Sequence, residues 1–159
     1  MFRELTRSNK QLPMAACIEV LQQQTRGVLS VLGDDGYPYG MPMNHWYEPS
    51  DGCVYFHCGR QSSHRMDAIL RCPKASFCVY DQGTPAPDSW ALQVRSVILF
   101  GQLEVLDDPD TICRVCTSLC RKFTQDEAYI REELEAYGHE TLLLRLRPAH
   151  MRGKLVTES

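Results

Sequence analysis

The chain lacks any apolar window long enough to cross a bilayer as a helix, so a membrane-spanning protein is not expected. It also lacks a surplus of positive charge. Seventeen Lys and Arg stand against 20 Asp and Glu, giving a formal net charge of -3 and a pI of about 5.9. A general nucleic-acid binder needs a basic face to displace counterions, so that class is set aside. A local basic pocket for one small anion stays compatible with this balance. No Gly-rich P-loop, no His-Glu-x-x-His zincin motif and no Ser/His/Asp signature occurs, which leaves nucleotide-triphosphate and hydrolase readings without support. Met1 to Lys10 alternates charged and polar residues without the apolar stretch of a signal peptide, and the expected location is the cytoplasm.

What is present is ordinary globular composition, 43% hydrophobic and 23% charged. At 159 residues the chain is expected to form a single domain over 1–159. A chain of this size buries roughly 70% of its unfolded surface. Eight cysteines would suggest a disulfide framework only in a secreted context. Here Cys53, Cys58, Cys72 and Cys78 sit in or beside apolar runs, and Cys113, Cys116 and Cys120 recur at helical spacing among Ile112, Val115 and Leu119. They read as reduced core thiols, small hydrophobes rather than zinc or cluster ligands. The five histidines are too scattered to declare a metal site.

Along the chain, Pro13 to about Gln24 reads as a helix and Gly27–Leu32 as a strand. Gly33-Asp34-Asp35-Gly36 then supplies a hairpin turn. In the return strand, Tyr37 to Tyr47, one face carries Tyr37, Tyr39, Met41, Met43, His45 and Tyr47. Pro38 and Pro42 on the other face make it an edge or a bulged strand. Cys53–Cys58 is a further strand. Ser62 or Ser63 caps a helix with Met66, Ile69 and Leu70 inward, ended by Pro73. Lys74–Tyr80 reads as a strand, Gln82–Ser89 as a loop and Ala91–Val105 as a long strand. Helices follow from Asp108-Pro109 to about Phe123 and, capped by Thr124, to about Tyr137. Leu142–Arg147 is the last strand, trailed by a polar tail at His150–Lys154. The expected fold class is α+β, mainly β: an antiparallel six-stranded barrel with flanking helices, closed to remove exposed edges.

The segment Arg60-Gln61-Ser62-Ser63-His64-Arg65 places cations and hydroxyls at a helix start. Free amide donors and the helix dipole favour an anion there by roughly 0.3–1 kcal/mol. A charge-assisted bond from Arg65 would add roughly 1.5–3 kcal/mol. Taken alone, the segment reads equally well as an exposed cap with solvated cations. Arg95 and Ser96 interrupt an otherwise apolar strand; an arginine so placed points to solvent, pairs with an acid, or adds a second cation to an anion site.

Seven ordered fragments resemble the pyridoxamine 5'-phosphate oxidase-like, flavin mononucleotide (FMN)-binding split-barrel superfamily, and most closely its nitroimidazole-resistance branch. They are Met1–Glu4, Gly33–Tyr39, Val54–Cys58, His64–Ile69, Pro73–Val79, Arg95–Gly101 and His150–Lys154. The resemblance implies a homodimer with FMN at the subunit interface, each site lined by both chains. Met41, Pro42, Met43 and Asn44 would lie against the isoalloxazine ring, and His57 and Cys58 would line the ribityl and phosphate end. His64 and Arg65 would hold the phosphate, with Arg95 and Ser96 adding to the pocket. The family usually has lysine where Arg65 stands; arginine keeps the charge and adds a bidentate fork.

The branch further implies reduction of a nitro group or another small oxidised substrate, with electrons from a partner such as a nicotinamide cofactor. It associates the histidine matching His64 with the active site. A histidine titrates near neutrality, so His64 is open to serving as phosphate anchor, proton donor or both. The leading expectation is an FMN-dependent oxidoreductase of the nitroreductase type. A non-catalytic flavin or haem carrier or sensor, with His57 or His64 as a haem ligand, is the alternative. Pyridoxamine 5'-phosphate oxidation ranks below both, for want of a second basic cluster to hold the substrate phosphate.

Overall fold

Apolar side chains at alternate positions build most of the strands, and Gly, Pro and Asp punctuate them. The computed structural model describes residues 2–87 and 89–158, so Met1 and Ser159, and Asp88 in the expected 82–89 loop, lie outside it. In chain order the elements are α1 (Met14–Gln23), β1 (Arg26–Leu32), β2 (Pro38–Asn44), β3 (Trp46–Glu48) and β4 (Cys53–Gly59). Then come α2 (His64–Arg71), β5 (Lys74–Tyr80), β6 (Thr84–Pro85) and β7 (Leu92–Leu106). The helices α3 (Pro109–Cys120) and α4 (Glu127–Tyr137) precede β8 (Thr141–Glu158).

The sheet runs β2-β1-β5-β7-β8-β4-β3, with β6 added to β7, and every pairing is antiparallel. Its two ends, β2 and β3, are consecutive in the chain and separated by His45 alone. One continuous segment therefore leaves β1, passes through His45 and joins β4, so this seam links the two ends of the sheet. Pro38 and Pro42 lie on β2, at the end of the order, where a missing N–H interrupts no inner ladder. The β1–β2 turn needs left-handed backbone at Asp35 (φ 55°) and Gly36 (φ 78°), the residue types that adopt it most readily.

Among the described residues the sheet has eight strands, not the expected six. The His45 seam divides the long return strand in two, and Thr84–Pro85 forms a short pairing inside the expected loop. The polar tail is no tail: β8 continues to Glu158, paired with β7 through Phe100↔His150 and Ile98↔Arg152. A register shift at Phe100/Gly101 leaves Ala149 of β8 without a partner between Pro148 and His150. Two smaller differences concern helices. Leu70 is 72% exposed rather than inward, and Asp126, not Thr124, caps α4 by accepting from the amides of Ala128 and Tyr129. Ser63 caps α2, its hydroxyl accepting from the Met66 amide.

Strand alternation sorts the core into two compartments. Val54, Phe56 and Cys58 of β4 and Leu142, Leu144 and Leu146 of β8 face the barrel interior, with Leu29, Phe77 and Leu99. Phe56 meets Phe77 edge to face at 5.0 Å and 75°, and truncating either ring to alanine costs about 3–5 kcal/mol. Cys53, Tyr55 and Leu143 point the other way and pack under Ile112, Val115 and Cys116 of α3. All eight cysteines are unpaired thiols, four of them buried.

The seam itself is polar. His45 is wholly buried, its Nε2–H donates to the Leu21 carbonyl at 2.9 Å, and its ring meets Phe77 edge-on at 4.9 Å. Burial first, then the Lys122 charge, pushes its pKa down to about 4. Lys122 donates to the carbonyls of Leu21 (3.5 Å), Gln24 (2.5 Å) and His45 (3.2 Å), tying the end of α1 to the seam.

Candidate functional site

The end of β4 is exposed at His57 and Gly59. Cys53 and Tyr55 are covered by α3, whereas His57, on the same face, is exposed beside the helix. Beside it the last residues of β2, Pro42, Met43 and Asn44, approach the first turn of α2. Together with Cys58, Gly59, Arg26 and Arg65 they line a pocket of about 360 Å³.

Among the described residues the lining holds two guanidinium groups and no carboxylate. Arg26 stands opposite Asn44 in the β1–β2 register and donates from Nε to its Oδ1 at 3.1 Å. Arg65 lies against Met43, with Nη1 3.5 Å from the thioether sulfur. Its buried Nε has no hydrogen-bond partner among the described residues. A buried guanidinium N–H without an acceptor is costly and is normally satisfied in the functional state. Burial, then the Arg65 charge, lowers the pKa of His57, so its ring is neutral at pH 7. Burial raises the Cys58 thiol, with Arg65 opposing, so that group stays protonated. The pocket thus presents fixed positive charge beside neutral donors, an arrangement suited to an anion.

Six of the ten expected site residues line this pocket: Pro42, Met43, Asn44, His57, Cys58 and Arg65. Met41 is buried in the barrel core behind it. His64 points to the other flank of α2, stacked on Tyr39 at 4.3 Å with Nε2 3.4 Å from Asp34 Oδ2, and does not line the pocket. Arg95 is engaged by acids: Nε donates to Asp81 at 2.7 Å and Nη1 to Glu19 at 3.0 Å. Ser96 lines a separate pocket of about 410 Å³ near Phe100, His150 and Arg152. Sequence reasoning missed Arg26. It begins a strand with no local motif, and only the long-range register with Asn44 brings it to the site.

An antiparallel split barrel with flanking helices defines the class. A family model described as pyridoxamine 5'-phosphate oxidase matches residues 13–155, and the chain belongs to that family. Among solved structures, a conserved hypothetical protein from Mycobacterium tuberculosis is similar at 21% identity. That match covers 95% of this chain and 89% of the other, with a TM-score of 0.78. A candidate 5-nitroimidazole antibiotic resistance protein from Bacteroides thetaiotaomicron matches at 17% identity, covering 93% and 87%, with a TM-score of 0.76. A flavocytochrome from Azotobacter vinelandii matches at 16%, covering 97% and 72%, with a TM-score of 0.74. At these identities the likeness establishes the fold. No curated protein matches the sequence.

Proposed function

We propose that this protein binds FMN and acts as an FMN-dependent oxidoreductase on small oxidised substrates such as nitro compounds. The observation that carries the reading is Arg65, whose buried Nε lacks an acceptor among the described residues, in a pocket they line with two guanidinium groups and no carboxylate. A phosphate dianion in the pocket supplies an acceptor for that guanidinium. In this reading Arg65 and Arg26 hold the phosphate, Pro42, Met43 and Asn44 lie along the ring, and His57 and Cys58 line the space between. Met41 backs the strip from the core. When bound, FMN supplies the redox chemistry, accepting electrons from a donor such as a nicotinamide cofactor. The chain's own residues bind, orient and exclude water.

A homodimer completes the site in this reading. The outward row Pro42, Val28, Cys78, Ile98 runs across four adjacent strands, and Ser30, Ser76 and Phe100 form the next. Val28, Ile98 and Phe100 are 39–40% exposed on this face, which borders the pocket at Pro42. A second copy seated there brings its Arg95–Ser96 strand and its His64 flank toward the ligand. His64 then reaches the ligand from the second copy, as anchor or proton donor.

The test is Arg65→Ala, with affinities for FMN and riboflavin measured on the same protein. Losing a charge-assisted phosphate bond of roughly 1.5–3 kcal/mol weakens FMN binding about 10- to 150-fold. Riboflavin, which has no phosphate, is unaffected. Equal FMN affinity in parent and variant would falsify the assignment.

A further inference from the structure

A second cavity, of about 300 Å³, adjoins the first, and Asn44 and His57 line both. Cys116 and Leu119 of α3 and Leu134 of α4 make it apolar inside. Phe123 and Tyr137 stand among its lining residues, 49% and 58% exposed. Two aromatic side chains left half in water at one cavity form an apolar surface that a ligand ring can cover.

Its charge is opposite to that of the neighbouring pocket. Among the described residues no Lys or Arg lines it, and Glu133 is its one acidic group. The other titratable groups do not offset that charge. His57 is held neutral by burial and by Arg65, and burial raises the Cys116 and Cys120 thiols, with Cys120 raised further by Glu133. A space of this size accepts a one- or two-ring molecule.

We propose that this cavity is the substrate side of the flavin site and selects small neutral or cationic aromatic molecules while excluding anionic ones. The inference rests on the flavin reading of the adjoining pocket, because the shared Asn44 and His57 are what place the two ligands side by side. Glu133 attracts an ammonium or amidinium group and repels a carboxylate or phosphate. That polarity separates the two spaces, the arginine-lined one for the phosphate of the cofactor and the glutamate-lined one for the substrate. It also disfavours pyridoxamine 5'-phosphate as the substrate, since a phosphate placed here meets a carboxylate and no cation.

Three isosteric probes test this by titration calorimetry on the full-length protein as purified: para-nitrobenzylamine, para-nitrobenzyl alcohol and para-nitrobenzoate. The amine and the alcohol are expected to bind, the amine about tenfold more tightly than the carboxylate, as one partly screened carboxylate allows. Glu133→Gln reduces that preference to about twofold or less, through loss of the same charge. Cys120→Trp fills the cavity and abolishes binding of all three. Neither residue lines the arginine pocket, so flavin content stays at the parent level in both variants. Carboxylate binding as tight as the amine's, an unchanged preference in Glu133→Gln, or parental binding by Cys120→Trp overturns the proposal. Glu133 is partly exposed, so Glu133→Gln decides the matter even where Cys120→Trp fails to fold. Failure of the flavin reading looks different: FMN affinity is then indifferent to Arg65, whatever the probes do.

Discussion

Acid should unfold this protein through His45, before most carboxylates titrate. The ring is wholly buried, and its pKa falls from an ordinary 6.5 to about 4 in the folded state. The unfolded chain accepts a proton that the folded one refuses, so it binds more protons between those two values. Stability is therefore full above about pH 6.5 and declines as the pH falls toward about 4. Each unit of difference is worth about 1.4 kcal/mol, and integrating from about pH 7.5 to about pH 5 gives a loss of about 2 kcal/mol. The comparison variant is His45→Gln, which retains a donor for the Leu21 carbonyl and cannot titrate. Urea unfolding at the two pH values should show the parent losing about 2 kcal/mol more than the variant. His57 shifts in the same direction and is present in both proteins, so the difference isolates His45. Parallel pH profiles for parent and variant would refute the reasoning.

Two further outcomes follow from other parts of the molecule. Lys122→Met removes three carbonyl partners at the end of α1 and the seam, and should cost about 1–3 kcal/mol with an unchanged urea slope. Ile98→Asp puts a charge at the centre of the outward sheet face and should convert a dimer to a monomer in light scattering. An unaltered mass would remove that face as the interface.

Local chemistry made much of the fold legible. The Gly33–Gly36 turn, the Ser63 cap, the Pro73 stop and the α3 start at Asp108-Pro109 all act over a few residues, and each stands where the sequence predicts. The misses share one cause, dependence on a distant partner. His150–Lys154 is polar and looks like a tail until β7 is beside it. Nothing near Thr84-Pro85 announces that Gln93 and Leu92 will pair with it. The break at His45 is equally silent, because the alternation of Met41, Met43, His45 and Tyr47 continues through it while the pairing partner changes from β1 to β4. The site divides in the same way. Arg65 was visible as a cation at a helix start, whereas Arg26 enters only through register and Arg95 is engaged by two acids from other elements.

The position of β8 between β7 and β4 bears on how the molecule is made. The β3–β4 hairpin is complete early in synthesis, yet its other neighbour is the latest of the described strands to emerge from the ribosome. Until then β4 shows an unpaired edge, and the apolar faces of Val54 and Phe56 lack Leu144 and Leu146. Long-range pairing of this kind is slow and leaves edges open to other chains. The nascent β3–β4 hairpin is thus open to pairing with other chains during synthesis, and slowed translation between β4 and β8 would lengthen its exposure.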